Sequence, residues 1–223
     1  MPRKEPTSRR NVLKLAGAAL ATTCATGVGA ANSRNDGVPI DFDSSNRREV
    51  LDAFSALKQL SEDAAADIWT DDLSRSQTDA IVDLVRDELE TEFVSVTEGS
   101  LSAGTAATYN TEDITEKAVG GVDGAVGKEY VFEHQLFWEY SGSDYRNVDS
   151  DQLGDPTGLF ASYNGPVLDD VDPFDNYFEA KQAGRFAFDP PEYTDPVEVT
   201  ARIYIEGRQS GSYTVTEKRA PLF

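Results

Sequence analysis

The sequence predicts an α+β fold: an N-terminal helical hairpin followed by a mainly antiparallel β domain, a sandwich or small barrel. Three observations point there. Apolar residues recur at helical spacing between residues 46 and 94. From residue 129 the period changes to two, and Gly, Pro, Asn and Asp break the second half into short runs.

Residues 1–31 read as a cleavable signal. A basic start (Arg3, Lys4, Arg9, Arg10, Lys14) precedes about 16 residues rich in Ala, Gly and Thr. That run is too short and too weakly apolar for a stable membrane span, which takes about 20 apolar residues. Ser8, Arg9, Arg10, Leu13 and Lys14 together resemble the twin-arginine export motif, with Val12 where Phe is commoner. The resemblance implies the twin-arginine translocase as a partner during export, and an extracellular, secreted product. Gly29, Ala30 and Ala31 supply small residues for cleavage at Ala30 or Ala31. Cys24, the single cysteine, offers the alternative of a lipid anchor at the cell surface. Ala21 and Thr23, however, stand where a lipoprotein signal has a branched apolar residue and Gly or Ala.

Charge gives the environment. The whole chain carries 20 basic and 40 acidic residues, a net of −20. Loss of residues 1–31 removes five basic residues and one acid, leaving 15 against 39 and a net of −24, with no cysteine. An exported chain that can form no internal disulfide and is this acidic resembles the twin-arginine-exported proteins of halophilic archaea. The physics agrees: self-repulsion strains a compact fold at low ionic strength, and molar salt shortens the screening length to about 3 Å. Such a charge excludes nucleic acid and anionic membrane surfaces as partners.

Along the mature chain, residues 32–45 are polar and read as a flexible arm. Residues 46–94 hold two amphipathic helices. The first is opened by Asn46 with Glu49 and carries Leu51, Phe54, Leu57, Ala64 and Ile68. The second is opened by Ser76 with Asp79 and carries Ile81, Leu84, Val85, Leu89 and Phe93. Residues 95–128 are rich in Gly, Ser, Thr and Ala and read as a linker with a short helix near 112–119. Gly120 to Gly127 superficially resembles a phosphate loop but lacks the closing Lys-Ser/Thr and a clear preceding strand.

Residues 129–223 form the β-rich domain. In YVFEHQLFWEY, Tyr130, Phe132, His134, Leu136, Trp138 and Tyr140 share one face; in VEVTARIYIEG, Val197, Val199, Ala201, Ile203 and Ile205 do. Gly207 to Gly211 then turns the chain into SYTVTEK, a hairpin signal. Trp138-Glu-Tyr140-Ser-Gly142 and Ala161-Ser-Tyr163-Asn-Gly165 echo one another as two hairpin ends. With Gly184-Arg-Phe186 and Gly211-Ser-Tyr213, this spacing resembles small secreted prokaryotic proteins of unknown function over residues 129–215; the resemblance implies no chemistry.

Catalytic residues do not stand out. His134 is the only histidine and lies on an aromatic strand face, the place of a core histidine held by a hydrogen bond. Without cysteine or a Gly-x-Ser-x-Gly elbow, nucleophilic hydrolysis lacks its parts, and a zinc site lacks N and S ligands. Asp149, Asp151 and Gly154 begin like a calcium loop, but Leu153 and Phe160 occupy ligand places. Asp169, Asp170, Asp172, Asp175 and Glu179 cluster in a turn-rich stretch and are the calcium candidates; no cofactor is implied. The expected function is therefore a secreted, non-enzymatic binding or structural module suited to high salt. A toxin or antimicrobial precursor with a helical leader is the alternative, and an exported enzyme a further one.

Overall fold

The structure, a computed structural model, describes residues 38–97 and 109–223. The export motif (Ser8, Arg9, Arg10, Leu13, Lys14), Cys24, Ala30 and Ala31 lie outside the described residues.

Three helices fill the region in which two were expected: α1 (Arg47–Leu57), α2 (Glu62–Asp71) and α3 (Arg75–Glu88). Asn46 caps α1, accepting from the Arg48 backbone N–H, and the helix buries Val50, Ala53, Phe54 and Leu57. The chain breaks after Leu57 because Ser61 starts a new helix. Its hydroxyl accepts from the Ala64 N–H, and Glu62 and Asp63 follow in the first turn, where the helix dipole favours acids. The cap of α3 is Ser74 rather than Ser76: the Ser74 N–H donates to Gln77 Oε1 at 2.9 Å. The Gln77 amide in turn donates to Ile40 O at 2.8 Å, tying residues of the expected arm to the helices.

The second expected helix also runs too far. It stops at Glu88, and Leu89–Thr97 is strand β1. Leu89 and Phe93, four apart, fit a helical stripe and an alternating strand equally well, and pairing with β2 decides the matter. Strand β2 (Asn110–Val122) lies inside the stretch expected to be a linker. Its Ala118 is fully buried and its Gly120 is closely packed. A Cβ on Gly120 would stand 2.0 Å from the Tyr130 ring, so only glycine admits that ring.

Six more strands follow: β3 (Tyr130–Tyr140), β4 (Tyr145–Pro156), β5 (Ala161–Pro173), β6 (Tyr177–Phe188), β7 (Val197–Arg208) and β8 (Tyr213–Arg219). They form two antiparallel four-stranded meanders, β1-β2-β3-β4 and β5-β6-β7-β8, packed as a sandwich. With the helices, this makes the chain α+β. Tyr130, Phe132, Leu136 and Trp138 of one sheet meet Phe178, Phe186, Val199, Ile203 and Ile205 of the other. The Tyr130 and Phe186 rings stack at 4.5 Å. A second core joins Phe54, Trp69 and Val85 of the helices to Val122, Phe160, Phe188 and Val197, so the helices seal one end of the sandwich. The ion pair between Lys58 and Glu129, both nearly inaccessible, crosses that junction.

The two echoed aromatic–glycine motifs are not equivalent hairpins. Gly142 lies in the β3–β4 turn, whereas Gly165 sits within β5, where the register shifts past Asn164. Among the described residues no helix is long and apolar enough to cross a membrane.

Candidate functional site

One level of the sandwich is polar almost all the way round. Following cross-strand partners from β1, Ser95 faces Glu116, Glu116 faces His134, and His134 faces Gln152. In the other sheet Asp169 faces Gln182, Gln182 faces Ile203, and Ile203 faces Lys218. Every strand contributes one residue to this layer, and seven of the eight are polar.

Hydrogen bonds tie the layer in separate groups, with Glu116 Oε1, Gln152 Oε1 and Gln182 Oε1 buried and without a partner. The Gln182 amide donates to Asp169 Oδ1 and to Ser150 Oγ, both at 2.8 Å. Ser150 lies 3.0 Å from His134 Nε2, and His134 Nδ1 lies 3.1 Å from the Ile203 carbonyl. A carbonyl only accepts, so Nδ1 carries the proton and Nε2 accepts from the Ser150 hydroxyl. Across one seam between the sheets, Gln152 donates to Leu168 O at 3.0 Å. Across the other, Lys218 donates to Glu116 Oε2 at 2.8 Å and to Ser95 Oγ at 3.3 Å. Side chains thus close the two seams that no backbone ladder closes.

Serine, histidine and an acid in one network have the elements of a nucleophile and its base. The arrangement does not use them that way. Burial depresses the His134 pKa to about 4, against the opposing pull of the Ile203 carbonyl and the Asp169 charge, which makes a weak base. The Ser150 oxygen is also engaged by Gln182. His134 is a buried, neutral member of a structural layer, held by two hydrogen bonds rather than one.

The calcium candidates do not converge. On β5, Asp169 lies on the opposite sheet face from Asp170 and Asp172; Asp175 lies in the following turn, and Glu179 is on β6. Lys181 pairs with both Asp172 and Glu179 at 2.8 Å, and these two acids raise its pKa. Among the described residues no group of three or more His, Cys, Asp or Glu is placed to hold a metal ion. Asp149 and Asp151 stand on β4, not in a loop.

The end of the sandwich opposite the helices carries a second constellation. Here the β3–β4, β5–β6 and β7–β8 turns meet, and their backbones are bonded to each other. The Gly142 N–H donates to Gln209 O at 2.8 Å, and the Gln209 N–H to Asn176 O at 3.2 Å. The Tyr145 hydroxyl donates to Phe174 O at 2.7 Å and accepts from the Phe174 N–H at 3.0 Å. Phe174 and Tyr177 stack at 4.4 Å with planes 9° apart. The Arg146 guanidinium lies 3.8 Å from the Tyr109 ring, whose hydroxyl donates to Asp144 at 2.9 Å. The sequence contained these aromatics but gave no sign that the fold collects them at one end.

Against this geometry stand the comparisons with known proteins. No family model, curated protein or solved structure matches this chain.

Proposed function

We propose that this chain is a secreted binding or structural module, exported by the twin-arginine route and suited to high salt, that acts through its surface. The observation carrying the reading is the filled interior. Trp138, Tyr130, Phe132, Phe178 and Phe186 are fully buried between the sheets. The void behind Glu129, Tyr130 and Phe186 is about 20 Å³, room for one water molecule rather than a substrate. The larger concavity between α1 and α3, about 480 Å³, is an open surface trough whose rim includes Asp79, Asp83, Asp87 and Glu88.

A precursor with a removable helical leader fits less well. The helices share a core with Phe160, Phe188 and Val197, so cutting them away would expose that core and leave Glu129 without Lys58. Mass spectrometry of culture supernatant tests this: a chain beginning near residue 31 is expected, and a product starting between 95 and 130 would favour the precursor. Export is tested by Arg9→Lys with Arg10→Lys. Lysine keeps the charge but loses the planar guanidinium, so the double variant should accumulate inside the cell uncleaved. Normal secretion of that variant would overturn the twin-arginine reading.

A further inference from the structure

We infer that the aromatic end, formed by the β3–β4, β5–β6 and β7–β8 turns, binds uncharged polysaccharide chains. The inference rests on the reading of the protein as a surface-acting module and names its ligand class.

Three features point to a sugar. The first is a fixed, flat apolar face. Phe174 is 43% exposed, lies parallel to Tyr177, and has both its backbone groups held by the Tyr145 hydroxyl. Ring faces carry partial negative charge, and the C–H face of a pyranose carries partial positive charge, so the two stack. The inter-turn hydrogen bonds hold the backbone beneath the ring and the Tyr177 stack covers its other face, so stacking a ligand on it costs little ordering entropy.

The second feature is the rim. Asn176 and Gln209 stand in the same turns and offer planar amide donors and acceptors, which suit paired sugar hydroxyls, while Asp144 and Arg146 beside them are engaged with Tyr109, Tyr145 and Glu139. The third is charge. Among the described residues, the cations near this end are already paired: Arg146 with Glu139, Arg208 with Glu206, and Lys181 with Asp172 and Glu179. With a net charge of −20 on the whole chain, little attracts a polyanion and much repels one. A protein partner fits less well. Stable protein interfaces bury about 800 Å² per side around an apolar centre, and here one ring stands more than a third exposed within a polar rim.

The test uses the protein as secreted, in 3 M NaCl (where the screening length is about 3 Å or less), with maltohexaose, cellohexaose and mannohexaose as probes in calorimetric titrations. At least one should bind saturably. Phe174→Leu keeps an apolar side chain but loses the flat face, and should weaken binding tenfold or more; Phe174→Tyr should retain it. Circular dichroism melts establish that each variant is folded. Should Phe174→Leu not fold, Asn176→Ala on the rim replaces it, with a severalfold loss expected. No binding to any of the three sugars, or binding unchanged in these variants, overturns the inference, as does tighter binding to the polyanion alginate. A parallel arm measures adhesion of the protein to its own source cells. Adhesion lost in Phe174→Leu while all three sugars fail would sink the glycan class and leave the surface module standing. Failure of both adhesion and sugar binding would sink both.

Discussion

Lowering the pH should unlock the polar layer at His134, and the size of the effect follows from its burial. In the unfolded chain a histidine titrates near its ordinary value of about 6.5; in the fold His134 is held to about 4. Below about 6.5 the unfolded chain therefore takes up the proton first. The stability that depends on a neutral His134 is complete above that pH and drains away as pH falls toward about 4. At 1.36 kcal/mol per pKa unit, the difference amounts to about 3 kcal/mol. The structural cause is specific. A proton on Nε2 turns the acceptor facing Ser150 into a donor, while Gln182 already donates to the same hydroxyl.

Urea melts of the protein and of His134→Gln at pH 7, 6, 5 and 4.5 isolate the effect. Glutamine can both accept and donate but does not titrate. Glu129 acts in the opposite sense. Burial raises its pKa despite Lys58, so its contribution is full at acidic pH and lost as pH rises through the raised value. It is present in both proteins and cancels in the difference. The stability gap between the two proteins should shift by about 2–3 kcal/mol between pH 7 and pH 4.5. A gap that stays constant with pH would refute the reasoning. Should His134→Gln not fold, NMR titration of the one histidine replaces it, and an apparent pKa of 6 or above would be the refuting result.

Other outcomes follow from the same structure. Lys58→Met should cost roughly 3–5 kcal/mol at neutral pH, because it strands a buried carboxylate. The loss should shrink in acid, and adding Glu129→Gln should restore part of it; equal losses in single and double variants would argue against the pair. Gly120→Ala drives a methyl group into the Tyr130 ring and should cost about 1–3 kcal/mol in denaturant melts. An unchanged midpoint would mean that β2 does not pack as described. Raising salt from 0.1 to 3 M should increase the unfolding midpoint, with sodium and potassium chloride alike, since the screening length falls from about 10 Å to about 3 Å or less. Equal stability and an unchanged monomer at both salts would remove the halophilic proposal. Millimolar calcium should add nothing, given that Lys181 already occupies Asp172 and Glu179; a sharp calcium-dependent rise in midpoint would contradict this.

What the sequence by itself determined is whatever depends on neighbours along the chain. Alternation in β3 and β7 places Phe132, Leu136, Val199 and Ile203 inside, as the burial of both strands shows. The acidic composition and the turn residues are equally local. What only the tertiary structure decided depends on partners far away. Gly120 and Ala118 read as linker residues because small side chains say nothing about what lies over them; the Tyr130 ring supplies the missing information. Leu89 and Phe93 satisfied a helix until β2 offered a ladder. The apolar spacing of Leu57, Ala64 and Ile68 reads as one helix across the break between α1 and α2, which the Ser61 cap makes. The polar layer was the least legible of all. Glu116, His134 and Gln182 stand on strands whose level is set by register, and Ser95 and Lys218 meet 123 residues apart. No window of sequence contains such a ring, because strand pairing rather than spacing brings its members to one height.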